Sequence, residues 1–252
     1  MDQQSLLNNI AIVLIRPKIP ENIGAAARVA WNMGINRLII VRDDIPDREA
    51  MAKMATHKAA HLIDNLEIYH DLAEALADFT IVVGTTARRG RQRTVEKTPR
   101  ELVDTLLPAL ATNKVAILFG PEDTGLTNDD LKYCQMASAI PTADFSSLNL
   151  AQAVAIHCYE FYYGAVHAKK DMVFAPQLAS SHELESMYAF LEESLYSIDF
   201  LSEVNHSYWM TNIRRFFSRM HLTSKDANIV RTVCKKLLLY ERNRTSNDLG
   251  EP

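Results

Sequence analysis

Glycine is scarce in this chain, with only 8 in 252 residues, and none of them falls in a familiar phosphate-binding pattern. The sequence contains no Gly-x-Gly-x-x-Gly after its first apolar run, no Walker-type Gly-Lys-Ser/Thr and no Gly-x-Ser-x-Gly. Those patterns supply the phosphate-binding backbone of nucleotide sites and the nucleophile of α/β-hydrolases. A glycine-rich phosphate cradle and a serine hydrolase are therefore both disfavoured.

Cysteine and long apolar runs are also lacking. The three cysteines, Cys134, Cys158 and Cys234, are far apart and odd in number, so we expect neither a disulfide framework nor a cysteine metal site. No apolar run reaches the length of a bilayer-spanning helix, and no basic stretch precedes the first apolar run. We therefore expect a cytoplasmic protein without a membrane segment.

One pair of histidines has a spacing found in metal sites. His57 and His61 lie four residues apart in a segment with helical patterning, which could place both rings on one helix face. The glutamate of the zinc metalloprotease motif is absent from this segment, and no third ligand is apparent. We therefore interpret the pair as surface histidines and expect no metal.

The formal net charge of -4 conceals an uneven distribution of charge. Every charged residue between positions 181 and 205 is acidic, whereas those between 206 and 244 are mostly basic. Because a polyanionic partner responds to local clusters of charge, the basic segments are candidate nucleic-acid surfaces. A second basic cluster consists of Arg88, Arg89, Arg91, Arg93, Lys97 and Arg100.

Short apolar runs alternate with helical patterns as far as residue 168, which predicts an α/β fold with a mainly parallel sheet flanked by helices on both faces. The predicted strands are 10–15, 37–41, 66–69, 79–83, 115–119 and 137–140, and the predicted helices are 21–34, 47–57, 71–77, 99–111, 127–134 and 148–167. Charged and small polar residues then indicate a linker at 169–180. A helical unit follows, with a Ser180–Glu183 capping box before its first helix and further helices at 208–220 and 226–242.

Two strand-to-helix junctions are candidate ligand loops. One apolar run leads through Gly120 to a helix with a predicted Thr127–Asp130 capping box. A second run ends at Ile140 and leads through a proline-bearing loop to a long helix. Together with the turn at Gly84, these junctions suit a ligand that is held mainly by backbone groups at one edge of the sheet.

Three segments resemble the motifs of one family of RNA-modifying enzymes. They are 22–28 (NIGAAAR), 119–127 (FGPEDTGLT) and 140–154 (IPTADFSSLNLAQAV). In this order and at this spacing they are similar to the three motifs of the SPOUT class of knotted RNA methyltransferases, in its TrmH branch. The segments 203–206, 212–217 and 228–231 are similar to the bacterial TrmJ subgroup of that branch.

The resemblance implies both a fold and an activity. The fold is a methyltransferase domain over 1–168 with a C-terminal trefoil knot, a linker over 169–180, and a helical RNA-binding or dimer-supporting extension over 181–252. The activity is transfer of a methyl group from S-adenosylmethionine to a ribose 2′-hydroxyl of tRNA, at a cytidine or uridine in position 32 of the anticodon loop, by a homodimer. Two alternatives stay open, namely the same chemistry on ribosomal RNA and an RNA-binding protein that has lost catalysis.

The same motifs imply roles for individual residues. The family's proposed base corresponds to Arg28, and two orienting groups correspond to Asn22 and Ser147. Glu122 and Asn149 correspond to residues that hold loops and hydroxyls in place. The residues expected to contact the cofactor are Thr85, Thr86, Ala87, Gly120, Ile140, Ser146, Ser147 and Leu148.

An arginine base is chemically awkward, because the pKa of a free guanidinium lies far above neutrality. Arg28 could act as a base only with help from a substrate phosphate. Alternatively, it could clamp that phosphate through two hydrogen bonds and stabilise the developing alkoxide. The physical argument favours the clamp.

Contacts with RNA are predicted for basic residues of both clusters. One group follows a cofactor loop, the other lies in the C-terminal helices, and together they are Arg88, Arg89, Arg91, Arg93, Arg214 and Arg215. Three aromatic residues near the second group, Trp209, Phe216 and Phe217, could pack into the core, form dimer contacts or stack on bases. We predict that they are core residues.

Overall fold

A computed structural model describes residues 3–87, 96–144, 146–168 and 173–248. The chain divides between Gln177 and Leu178 into two units. Within the described part, no helix is both long and apolar enough to cross a membrane.

The first unit alternates strands and helices, as the apolar pattern predicts. Its strands are β1 (Ile10–Ile15), β2 (Arg37–Val41), β3 (Glu67–Tyr69), β4 (Ile81–Thr85), β5 (Glu96–Lys97), β6 (Val115–Phe119) and β7 (Met136–Ser138). Its helices are α1 (Gln3–Leu7), α2 (Pro20–Asn32), α3 (Arg48–Asp64), α4 (Leu72–Leu76), α5 (Pro99–Leu106), α6 (Asn128–Leu131) and α7 (Leu150–Val166).

The described strands form one parallel sheet in the order β3-β2-β1-β6-β4-β7-β5. Every residue of β1 and β6 is buried, and these two strands pair with each other near the middle of the sheet. Continuous apolar strands are expected where helices cover both faces of a parallel sheet. The predicted α/β sheet is confirmed, and the carboxyl ends of its strands meet at one edge.

Strand β7 lies between β4 and β5 in the sheet, although it follows both of them in sequence. Thr85 of β4 is the partner of Ser138 on one side, and Lys97 of β5 is the partner of Ser138 on the other. The later strand therefore enters the sheet between two strands that the chain connects through residues 86–95. Apolar periodicity identifies strands but carries no information about their order.

Local helix signals were mostly sufficient to place the helix starts. The capping boxes predicted at Thr127–Asp130 and Ser180–Glu183 are both confirmed. The predicted end of α3 at His57 is wrong, because the helix resumes after a break and continues to Asp64. The break is at Thr56, whose φ of 60° and ψ of 168° lie outside helical geometry. The short elements α1 and β5 were not predicted.

The two histidines of the candidate metal pair follow this break in α3. His57 is exposed, whereas the ring of His61 packs edge-on against Trp31 with 4.3 Å between the ring centroids. Among the residues that the structure describes, no group of three or more His, Cys, Asp or Glu side chains is placed to hold a metal ion.

The second unit contains three helices where it is described: α8 (Ser181–Ser197), α9 (His206–Ser218) and α10 (Ser224–Asp248). Its core forms around Met187 and Tyr188. Phe217 packs against this core as predicted. The same prediction is wrong for Phe216, which is 49% exposed, and only partly correct for Trp209, which is 37% exposed. The residues of α9 that pack on this core are Met210, Ile213 and Phe217.

Candidate active site

A cavity of about 290 Å³ lies at the carboxyl ends of β4, β6 and β7. Its walls are the loops that follow these strands, and the first turns of α7 complete it. In a parallel sheet, the carboxyl ends of neighbouring strands lie side by side, so their loops can converge on one ligand. Two apolar residues of the lining, Phe119 and Leu150, are buried.

The structure brings together every residue that was expected to contact the cofactor. These residues come from four separate stretches of sequence and all line the cavity: Thr85, Thr86, Ala87, Gly120, Ile140, Ser146, Ser147 and Leu148. Gly120 permits the close approach of the loop to itself, because a Cβ there would lie only 2.3 Å from the backbone nitrogen of Leu126. The cavity therefore depends on glycine at this position.

Glu122, which also lines the cavity, is the centre of a small hydrogen-bond network. Its Oε1 accepts from Nδ2 of Asn22 over 2.7 Å, and its Oε2 accepts from the backbone N–H of Lys18 over 3.0 Å. Burial opposes ionisation of this carboxyl group, but the hydrogen bonds from Asn22 and Lys18 outweigh it and lower the pKa of Glu122. Glu122 is therefore an anchored carboxylate at neutral pH, which accepts hydrogen bonds and donates none.

A further hydrogen bond connects Asn22 to Asn149. The Nδ2 of Asn149 donates to Oδ1 of Asn22 over 3.0 Å. The Oδ1 of Asn149 accepts from the backbone N–H groups of Ala151 and Gln152 and so caps α7. The three predicted residues Asn22, Glu122 and Asn149 therefore form one connected chain that ties the start of α7 to the loop after β6.

Ser147 and Arg28 have a different status. Ser147 lines the cavity and is exposed, and its side chain makes no hydrogen bond to another described residue. Arg28 is exposed on α2, does not line the cavity, and has no hydrogen bond or ion pair within the described part of the chain. Six residues of helix rotate Arg28 by roughly 240° from Asn22. The structure therefore does not join Arg28 to the network of its own chain.

Two ion pairs that were not predicted from the sequence fasten the segment before α2 to the segment after β6, one of them in the loop and the other in α6. Arg16 pairs with Asp130 over 2.6 Å, and Lys18 pairs with Asp123 over the same distance. Arg16 has a positive φ of 47°, which is uncommon for a residue other than glycine. The Arg16–Asp130 pair joins residues that are 114 positions apart, and no local sequence motif predicts a contact of that kind.

Asp130 is the buried end of the first of these pairs, with 4% of its surface exposed. Its carboxylate also accepts from the backbone N–H and the hydroxyl of Thr127. Burial opposes ionisation of Asp130, but the hydrogen bonds from Arg16 and Thr127 outweigh it and lower the pKa of Asp130. One carboxylate therefore both caps α6 and holds the loop that precedes α2.

The lining also contains a buried polar pair that was not predicted from the sequence, His157 of α7 and Ser138 of β7. The Nε2 of His157 lies 3.0 Å from the Oγ of Ser138, and its Nδ1 lies 2.9 Å from the carbonyl oxygen of Ala153. Burial lowers the pKa of His157 to about 4. A histidine within an apolar helical stripe was the only available signal.

The residues predicted to contact RNA fall into two groups. Arg88, Arg89, Arg91 and Arg93 lie outside the described residues. In the second unit, Arg214 makes two hydrogen bonds to Glu185, of 2.5 and 2.6 Å, and its guanidinium lies 4.3 Å from the ring centroid of Tyr188. Arg215 is exposed on α9. Because Arg214 is engaged within its own unit, an RNA contact by Arg214 would compete with this ion pair.

Comparison with protein-family models gives two matches in separate parts of the chain. Residues 9–159 match the model of the SpoU rRNA Methylase family. Residues 182–248 match the model described as tRNA methyltransferase TrmJ, C-terminal domain. The first match contains the cavity and the Asn22–Glu122–Asn149 network, and the second contains α9 and α10.

Curated relatives are similar over nearly the whole chain. The tRNA (cytidine/uridine/adenosine-2′-O-)-methyltransferase TrmJ of Pseudomonas aeruginosa (strain UCBPP-PA14) is 34% identical over 241 residues, which cover 90% of this chain and 93% of the relative. The tRNA (cytidine/uridine-2′-O-)-methyltransferase TrmJ of Salmonella typhimurium (strain LT2) is 35% identical over 234 residues, with coverage of 90% and 96%.

A solved structure is similar as well. The crystal structure of TrmJ from Z. mobilis ZM4 superposes with a TM-score of 0.78 at 32% sequence identity. The match covers 90% of this chain and 98% of that chain.

Proposed function

The chain belongs to the SpoU rRNA methylase family, and we propose that it transfers the methyl group of S-adenosylmethionine to a ribose 2′-hydroxyl of tRNA. The observation that carries this proposal is the cavity at the strand ends, which unites the eight expected cofactor residues and adjoins the Asn22–Glu122–Asn149 network. The choice of tRNA rests on relatives named as tRNA 2′-O-methyltransferases that match 90% of the chain, and on the C-terminal domain model.

The finer substrate assignment is position 32 of the anticodon loop, with cytidine or uridine accepted. The names of the relatives support cytidine and uridine, and one of them adds adenosine. Because the acceptor is the ribose hydroxyl, which every ribonucleotide carries, the base is selected by contacts outside the reacting atoms. With tRNA as the substrate, we expect the protein to act in the cytoplasm.

The cavity fits S-adenosylmethionine in its chemistry. Apolar side chains, among them Phe119 and Leu148, offer walls for a flat base, and the loop backbones at Gly120 and Ile140 offer hydrogen-bonding groups. The bound cofactor supplies a methyl group that is already activated on a sulfonium. The protein therefore has to align the ribose, exclude water and assist removal of the hydroxyl proton.

Residues of this chain account for the alignment. Glu122 fixes Asn22, and Asn22 fixes Asn149 at the start of α7. The capped start of α7 then holds Ser147, whose exposed hydroxyl can bond to the ribose at the cavity. Preorganised polar groups of this kind lower the barrier because they do not have to reorient during the reaction.

Arg28 is proposed to grip a phosphate of the substrate rather than to remove the proton itself. Its guanidinium is exposed and unpaired within the described part of the chain, so it is available for a bidentate contact. Since Arg28 does not adjoin the cavity of its own chain, we propose that it serves the cavity of a second subunit in a homodimer.

A second copy of this chain is the proposed occupant of the outer face of α7. That face carries several large exposed side chains, which are 37–48% exposed: Tyr159, Tyr162, Tyr163 and Val166. Aromatic side chains are enriched in protein interfaces. Light scattering of the purified protein should give the mass of a dimer.

The trefoil knot implied by the resemblance remains part of the proposal. Its support is the position of β7 between β4 and β5, two strands that the chain has already connected. A chain that enters the sheet there and continues into α7 has the connectivity from which such a knot is tied.

The experiment that tests the proposed function offers the purified protein and S-adenosylmethionine to unmodified tRNA and to ribosomal RNA in parallel. After digestion, nucleosides are identified by mass spectrometry. We expect 2′-O-methylated cytidine or uridine from tRNA alone. Product from ribosomal RNA alone would overturn the tRNA assignment. Ribosomal RNA is the specific alternative because the matching family model is named for rRNA methylases.

A further inference from the structure

His157 and Ser138 form a polar pair inside an otherwise apolar part of the molecule. His157 is 1% exposed and Ser138 is 0% exposed, yet both line the cavity. Polar side chains at such depth cost free energy unless they are hydrogen-bonded, and an apolar pair of the same shape could fill the space without that requirement. The pair therefore calls for a role beyond filling the core.

The hydrogen bonds determine which atom of the pair donates. The Nδ1 of His157 faces the carbonyl oxygen of Ala153, which can only accept, so Nδ1 carries the proton. In a neutral ring, Nε2 then carries a lone pair and must accept from the hydroxyl of Ser138. The ring is neutral at ordinary pH because burial lowers its pKa to about 4. The hydroxyl of Ser138 is therefore the donor in its hydrogen bond with His157.

Ser138 is positioned where the cofactor loops meet. Its backbone carbonyl accepts from the N–H of Thr86 over 2.9 Å, and it is the sheet partner of Thr85. The Oγ1 of Thr85 in turn donates to the carbonyl of Leu118 over 2.8 Å. Ser138 therefore connects the loop after β4 with the end of β6.

His157 reaches a third wall of the cavity. Its ring packs edge-on against Phe119, with 5.3 Å between the ring centroids. Phe119 is the last residue of β6 and directly precedes Gly120. One side chain of α7 therefore contacts the strand end where the loop after β6 begins and, through Ser138, is connected to the loop after β4. α7 also begins at Asn149, the end of the Asn22–Glu122 network.

We propose that His157 is a positioning residue for the cofactor, which acts through Ser138 to hold the three loops in the arrangement that binds S-adenosylmethionine. This inference rests on the proposed function, because it takes the cavity to be the cofactor site. Neither His157 nor Ser138 lies in the three motif segments, and neither was among the residues expected to contact the cofactor. Its consequence is that loss of the pair should weaken cofactor binding specifically and leave binding of tRNA unchanged.

The test compares variants of the full-length protein by calorimetric titration with S-adenosylhomocysteine. His157→Phe keeps an aromatic ring, slightly larger than imidazole, but leaves the Ser138 hydroxyl without its acceptor. If the loops then hold the binding arrangement in only about a tenth of the molecules, binding weakens roughly 10-fold. His157→Gln can still present an acceptor to Ser138 and should recover most of the affinity. In steady-state assays, the KM for S-adenosylmethionine should rise while the KM for tRNA stays constant.

A matched control lies beside His157 on the same helix. Cys158 is fully buried but does not line the cavity, so Cys158→Ala should lower the melting temperature and leave the affinity for S-adenosylhomocysteine unchanged. If folded His157→Phe binds as tightly as the wild type, the pair has only a structural role and the inference is overturned.

A second variant separates the hydrogen bond from the ring. Ser138→Ala removes the donor, and the double variant His157→Phe/Ser138→Ala removes both partners. Coupling between the two sites in the binding free energy supports the inference, whereas additive effects contradict it. Failure of the wild type to bind either S-adenosylmethionine or S-adenosylhomocysteine would overturn the proposed function and this inference together.

Discussion

Asn22 donates a hydrogen bond from Nδ2 to Oε1 of Glu122 over 2.7 Å, and this bond joins the first turn of α2 to the loop after β6. The two residues are 100 positions apart in sequence. Because the Oδ1 of Asn22 also accepts from Asn149, one amide links two of the loops that surround the cavity. Substitutions at either end of this bond should therefore affect methyl transfer more than stability.

Glu122→Gln should lower kcat about 10- to 100-fold, since a hydrogen bond to a charged group contributes about 1.5–3 kcal/mol. The variant keeps the shape of the side chain but weakens its hold on Asn22 and on the Lys18 backbone. Single-turnover methyl transfer to tRNA measures the effect. Glu21→Gln is the matched control. Glu21 is exposed on the turn of α2 that carries Asn22, so this substitution should leave kcat unchanged.

Arg28→Lys should lose activity about 10-fold or more, nearly as much as Arg28→Ala. A lysine keeps the charge but cannot make two parallel hydrogen bonds to a phosphate. The comparison uses kcat/KM with tRNA, with Arg48→Lys on α3 as an exposed arginine control. Near-normal activity in Arg28→Lys would contradict the geometric argument for the clamp.

Asp130→Asn should lower the free energy of unfolding by about 1–3 kcal/mol at pH 7, because Arg16 and the Thr127 cap lose a buried carboxylate. The pKa of Asp130 is lowered in the folded protein. The stability it contributes is therefore fully present above its ordinary pKa and is lost as the pH falls through the folded value.

Urea unfolding of wild type and Asp130→Asn from pH 7 down to pH 3 follows this linkage. The difference between the two proteins should shrink as the pH falls below the ordinary carboxyl range. Asp129→Asn, at the exposed neighbouring position, is the control and should change the free energy of unfolding at pH 7 much less than Asp130→Asn does. A gap between wild type and Asp130→Asn that stays constant with pH would disprove the linkage.

Thr56→Gly should stabilise the protein by about 1 kcal/mol. A β-branched residue with φ of 60° and ψ of 168° is strained by about 1–3 kcal/mol, and glycine removes that strain at an entropic cost of about 0.5–1 kcal/mol. Thr211→Gly, at an exposed position inside α9, should destabilise instead. Thermal unfolding of both variants gives the signs, and a loss of stability in Thr56→Gly would show that Thr56 is not strained.

The sequence predicted those parts of the fold that depend on local pattern. The predicted bounds of β1, β2 and β6 match the structure residue for residue, because each strand consists of apolar residues apart from Arg37 at the start of β2. The Thr127–Asp130 capping box is a local signal of the same kind. The loops proposed to bind the cofactor were chosen by resemblance, and the parallel sheet explains why they converge on one cavity.

Features that depend on contacts distant in sequence could not be predicted. Insertion of β7 between β4 and β5 has no signature in periodicity. The Arg16–Asp130 pair and the His157–Ser138 pair need the fold to bring their partners together. The break in α3 was not predicted, because a threonine in the sequence does not indicate a positive φ.

The most direct test of the account removes one oxygen atom, that of a single ribose 2′-hydroxyl, from the substrate. Two tRNA transcripts are compared, one with an ordinary cytidine at position 32 and one with 2′-deoxycytidine there, each with radiolabelled S-adenosylmethionine and an excess of enzyme. The account predicts about one methyl group per tRNA for the first transcript and none for the second. Equal labelling of the deoxy substrate would contradict the central claim, because the methyl group would then be attached to a base or to another nucleotide.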